Sequence, residues 1–152
     1  MKLSKASDYA LVILAKLVDQ PSDQWVTARA IAEPIGIPQS FLGNIIHRLV
    51  QAGILQSQRG SHGGIRLAKT ASEITIGQVL DAVEDRMNLV ECMEEGGNCP
   101  IEGNCEVRAF WSITHELVLA ALKHISLKDI SMYMRGSKQK GILSHVENIT
   151  AG

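Results

Sequence analysis

The stretch from Thr27 to Ala68, TARAIAEPIGIPQSFLGNIIHRLVQAGILQSQRGSHGGIRLA, decides how the rest of the chain is read. Thr27 can cap a short helix from Ala28 to about Ile35, and Pro34 inside it implies an irregular end. Gly36 supplies a turn, and Pro38 stands where a new helix can begin. That helix runs to about Ala52, with Phe41, Leu42, Ile45, Ile46, Leu49 and Val50 spaced for burial. Two short helices joined by a Gly-containing turn form the helix-turn-helix pattern. The period then changes. Ile54 to Gln58 reads as a strand, Arg59 to Gly64 as a turn, and Ile65 to Ala68 as the return strand. A helix-turn-helix followed directly by a Gly-rich hairpin is a winged helix; a generic small α/β domain is the plainer alternative.

Upstream, Ala6, Tyr9, Ala10, Ile13, Leu14, Leu17 and Val18 share one face of a helix that stops before Pro21. Downstream, Thr75 caps a helix from Ile76 to about Glu84. The segment 85–105 has no apolar period and holds all three cysteines. Beyond it Val107, Phe110, Trp111, Thr114, Leu117, Val118, Ala121, Leu122 and Ile125 mark a long amphipathic helix. Ser126 with Asp129 resembles a capping box for a short closing helix, and the polar tail from Arg135 is expected to be flexible. The long helix needs a surface to cover its apolar stripe. It either folds back on the winged domain or packs on a second copy, as suits a reader of palindromic sites. The expected fold is thus mainly α with a small β-hairpin wing. A winged helix-turn-helix domain covers 1–84, a cysteine loop 85–105, a dimerisation helix and closing helix 106–134, and a tail 135–152.

Composition supports a partner of negative charge only locally. The whole chain of 152 residues carries −1, yet residues 1–80 hold eight Lys or Arg against five Asp or Glu, and residues 81–152 seven against eleven. No carboxylate lies between Glu33 and Glu73, where Arg48, Arg59, Arg66 and Lys69 fall. Such a window suits a surface that approaches phosphates. On the third helix, Gln39, Ser40, Asn44 and His47 form the polar face offered to base edges, beside Gly43. Ser40 and Arg48 are placed for phosphates, Arg59 at the base of the wing for a narrow minor groove, and His62 at its tip for phosphate. Each helix residue alone is more readily a solvated surface residue than a base reader, and His62 equally so, but together on the third helix of a winged domain they read as functional.

No stretch approaches the roughly 18 apolar residues needed to cross a bilayer, and the opening residues are too polar for a secretory signal. A cytoplasmic protein with reduced thiols is expected. Cys92 and Cys99 are separated by six residues, Cys99 and Cys105 by five, in a loop with Gly96, Gly97 and Gly103. Structural zinc favours closer pairs and four ligands. An incomplete thiolate set on a loop suits an iron–sulfur cluster with a weak or borrowed remaining ligand, although spacing alone leaves three ordinary thiols equally open. No nucleophile–base set, phosphate loop or substrate pocket is evident. Neither an enzyme nor a small-molecule substrate is expected.

Several motifs together resemble the Rrf family of bacterial winged-helix regulators, over Lys2 to about Met134. They are Leu3-Ser4-Lys5 to Asp8-Tyr9-Ala10, Arg59-Gly60 to Gly63-Gly64, Arg66-Leu67-Ala68, Ile74-Thr75-Ile76 and the three cysteines. The resemblance implies a homodimer on palindromic promoter DNA, with a 2Fe-2S or 4Fe-4S cluster held by Cys92, Cys99 and Cys105 beside crossed dimer helices. Glu91-Cys92 and Val107-Arg108-Ala109 with Trp111 are most similar to the branch that represses the Suf cluster-assembly operon. The histidine ligand of the Isc branch is replaced here by Arg108, and its base-reading glutamate by Gly43. Asp8 matches the nitric-oxide-sensing branch, where an aspartate from the partner subunit completes the cluster; that implies Asp8 as fourth ligand. A nitric-oxide-sensing repressor is therefore the alternative within the family. A cluster carrier or redox protein on a winged fold is the alternative outside it.

Overall fold

Ser4 is extended and its hydroxyl accepts the Ser7 N–H, which opens the first helix, α1 (Lys5–Val18). The computed structural model describes residues 3–84, 87, 89–90, 99, 101 and 104–135. Cys92, most of the 85–105 segment and the tail from 136 onward lie outside the described residues. Thr27 caps α2 (Ala28–Ala32) by accepting the Ala30 N–H at 3.2 Å. Pro34 has no N–H for an α-helical bond, so residues Glu33–Ile35 tighten into a single 3-10 turn before Gly36. Pro38 is extended and precedes α3 (Gln39–Gln51). The hairpin follows as β1 (Leu55–Gln58) and β2 (Gly64–Leu67), antiparallel, with Leu55 opposite Leu67 and Gln58 opposite Gly64. Then come α4 (Ile76–Val83), α5 (Arg108–His124) and α6 (Leu127–Met134). Capping boxes start α4 (Thr75 with Gln78) and α6 (Ser126 with Asp129).

One core joins these elements. Ala10, Ile13, Leu14 and Leu17 of α1 meet Leu42, Ile45 and Leu49 of α3, Leu55 and Ile65 of the hairpin, and Val79 and Val83 of α4. Leu127 of α6 belongs to the same cluster and is 0% exposed. Backbone bonds fix it there: Leu127 N–H donates to Ile74 O and Ile76 N–H to Ile125 O, both at 2.8 Å. The residues after the cysteine segment thus complete the packing of the residues before it. α5, by contrast, packs on α4 with none of its residues fully buried.

The wing glycines answer two different demands. Gly60 takes a φ of 111°, which L side chains rarely adopt. Gly64 has another reason to lack a side chain. Ile65 and Val26 exchange backbone bonds at 2.8 and 3.1 Å, drawing the chain before α2 onto the hairpin. A methyl group on Gly64 would lie 2.5 Å from the Val26 carbonyl oxygen. Gly64→Ala is therefore expected to cost about 2 kcal/mol as the bridge is forced apart. A urea titration checks this, and an unchanged midpoint would mean the two backbones do not meet.

Candidate DNA interface and cysteine segment

The amphipathic pattern of α3 sends Leu42, Ile45 and Leu49 inward and leaves Gln39, Ser40, Asn44 and His47 exposed. Gly43 lies among them with open space before it. Gln51 is also exposed, one turn beyond His47 on the same line, and the sequence reading missed it. The signal was available, since 40, 44, 47 and 51 follow helical spacing. Arg59 and His62 are exposed on the wing. The structure thus leaves the polar face of α3 and the wing residues open to an external partner.

Arg48 differs from its neighbours. It is half-buried, and its Nη1 donates to the Val83 carbonyl at 2.9 Å, in the last turn of α4. At the other end of α3, Phe41 meets Tyr9 of α1 edge to face, with ring centroids 5.3 Å apart. Both ends of α3 are therefore tied to other helices. On the flank of the wing, the Arg66 guanidinium lies 4.4 Å over the Trp25 ring and its Nε donates to Gln56 Oε1. Beyond the wing, the first carboxylate, Glu73, accepts the Thr70 hydroxyl and N–H at 2.5 and 2.9 Å. Those bonds hold its carboxyl below the usual glutamate value.

Glu84 ends the described chain before the cysteine segment. Its Oε1 accepts the Ser4 N–H at 2.8 Å and the Ser7 hydroxyl at 2.5 Å. Burial works to raise its pKa, but these bonds and the nearby Arg48 charge outweigh it, so Glu84 stays below the ordinary value. Cys99 and Cys105 are half-buried free thiols, and the Cys105 carbonyl accepts the Arg108 N–H at the foot of α5. Asp8 is exposed in the first turn of α1. The described residues bring no three Cys, His, Asp or Glu side chains of one chain into a metal-binding group. The donors are nonetheless chemically apt for iron: two unpaired thiols and an accessible carboxylate.

Among the described residues, no helix is long and apolar enough to cross a membrane. Residues 3–132 match the family model Rrf2, described as iron-dependent transcriptional regulators. An HTH-type transcriptional regulator NsrR from Halalkalibacterium halodurans is 33% identical over 134 residues, covering 86% of this chain and 90% of that protein. A putative transcriptional regulator from Listeria innocua superposes with a TM-score of 0.73 at 28% identity, covering 93% of this chain and 91% of its own. T. potens IscR shares the fold, with a TM-score of 0.70, 21% identity, and coverage of 95% of this chain and 96% of its own. The winged-helix expectation holds, and so does the expectation that the protein is a regulator rather than an enzyme. Match length and identity together place this chain in the Rrf2 family of DNA-binding transcriptional regulators.

Proposed function

We propose that this protein is a cytoplasmic repressor whose grip on promoter DNA depends on an iron–sulfur cluster bound in the 85–105 segment. The observation that carries the reading is the junction at Glu84, where the chain leading to the cysteines bonds to the start of α1. Cys92, Cys99 and Cys105 would hold the cluster, with Asp8 of the partner subunit as fourth ligand. When bound, a cluster offers redox-labile iron to oxygen and nitric oxide. The chain's own residues do the rest. Gathering the thiols to one centre fixes α1 and α5, and with them the spacing of two recognition helices in a homodimer. The dimer reading is supported by the stripe of Phe110, Ile113 and Leu117 on α5, which are 60%, 60% and 55% exposed in the single chain. Such a dimer suits palindromic DNA, read by Gln39, Ser40, Asn44 and His47 and gripped by Arg59 and His62.

The genes controlled are those of cluster assembly, on the likeness of the cysteine segment to the Suf branch. A nitric-oxide sensor is the second reading, favoured by the exposed carboxylate of Asp8 in the first turn of α1. Anaerobic reconstitution with ferrous iron and sulfide, followed by promoter titration of loaded and empty protein, tests both. Coloured protein is expected, with affinities differing by roughly 5–150-fold between the states. Equal affinities would end the sensor reading, and release by nitric oxide at concentrations where oxygen has no effect would favour the second. Arg59→Ala is expected to weaken binding about tenfold and to lower the salt slope by about one phosphate, without loss of fold. A gel-shift series over salt measures this, and an unchanged affinity would remove the wing from the interface.

A further inference from the structure

Three helices meet where α4 ends. The Val83 carbonyl, one of the acceptors a helix terminus leaves open, takes a guanidinium hydrogen of Arg48 at 2.9 Å. Glu84 then leaves the helix in extended conformation and turns its carboxylate onto the start of α1. There it accepts the Ser4 N–H at 2.8 Å and the hydroxyl of Ser7, a side chain 0% exposed, at 2.5 Å. Arg48 is close enough for its charge to act on the same carboxylate. One residue step beyond Ser7 lies Asp8, and one step beyond Glu84 begins the cysteine segment.

A charge-assisted joint of this kind is stiff and directional, and both its partners are partly withdrawn from water. It also closes a triangle. α1 and α4 are joined by Glu84, α4 and α3 by Arg48, and α3 and α1 by the Tyr9–Phe41 contact. A shift of the end of α4 against α1 therefore cannot leave α3 where it was unless one of these contacts breaks. Sequence position had put Arg48 with the phosphate contacts. Its guanidinium instead points along the protein toward α4.

We propose that Arg48 and Glu84 are positioning residues: together with Ser7 they form the latch through which the state of the 85–105 segment sets the recognition helix, and Arg48 serves there rather than on a DNA phosphate. The latch rests on the reading that this segment holds the cluster. Its test uses the full chain, reconstituted with ferrous iron and sulfide, and a DNA fragment that the loaded wild type selects from a randomised pool. Arg48→Lys, Arg48→Gln and Glu84→Gln are each titrated, loaded and empty, across a salt series. All three should regain the visible absorbance of the wild type. In each, the loaded and empty affinities should converge to within about twofold, with an unchanged slope of log K against log salt. The Arg48→Gln, Glu84→Gln double variant should be no worse than either single one, as befits a shared joint.

Two results would overturn the latch. One is a wild-type ratio of loaded to empty affinity in Glu84→Gln. The other is a loss of about 0.9 from the salt slope of Arg48→Gln in both states, with Arg48→Lys unaffected, which is the signature of a lost phosphate contact. A wild type that stays colourless would sink the cluster reading and any signal reaching the latch. The slope for the empty protein would still decide what Arg48 touches.

Discussion

Cys99→Ala and Cys105→Ala are each expected to give a folded protein that stays colourless after anaerobic reconstitution with iron and sulfide. Neither thiol belongs to the buried cluster that joins α1, α3, the hairpin, α4 and α6, so removing a sulfur leaves that packing intact. Thiolate ligation, on the other hand, is all-or-nothing if the proposed site has three sulfurs and one weak oxygen donor. Losing one sulfur leaves too few soft ligands to retain iron and sulfide. Circular dichroism should therefore match the wild type while the visible band disappears. A variant that kept full absorbance would show its sulfur to be no ligand.

Leu49→Ala is the substitution with the largest expected effect on stability. Leu49 is 0% exposed, in the half of α3 that faces the core. Its carbonyl accepts the Ile54 N–H at 2.9 Å, so the side chain lies where the recognition helix gives way to the wing. Truncation removes buried methyl groups and leaves a cavity that surrounding helices fill only partly. The cost is about 3 kcal/mol, a large share of the stability of a domain this size. The thermal midpoint should fall by roughly 10 °C. DNA affinity at low temperature should fall much less, because the polar face of α3 is untouched. A shift of only a degree or two would mean that α3 is not seated in the core.

Much of this fold could be read from the chain because its signals are local. Thr27, Thr75 and Ser126 each supply a hydroxyl to a backbone N–H three residues on, and a cap of that kind is visible in four letters of sequence. Pro34 and Pro38 mark the ends of their helices for reasons contained in the ring itself. The long-range joints were not legible. Nothing near Glu84 announces that its carboxylate will meet Ser7, 77 positions away. Nor does Val26 announce its pairing with Ile65. The reading of α5 shows the same limit. Its periodicity predicts a stripe without Ile113, and only the packing shows that Ile113 faces outward with Phe110 and Leu117. Resemblance alone points to Asp8, and spacing together with resemblance points to Cys99 and Cys105. The structure gives their exposure and neighbours, while Cys92 lies outside the described residues.

The burial of Leu127 beside Ile74 has a consequence for how the protein is made. Emerging from the ribosome, the first 84 residues present a hydrophobic socket whose plug, Leu127, arrives 43 residues later. By then the cysteine segment is already an intramolecular bridge, closed at both ends by the finished fold. Whatever pulls on one end of that segment therefore pulls on a body to which the other end is also fastened.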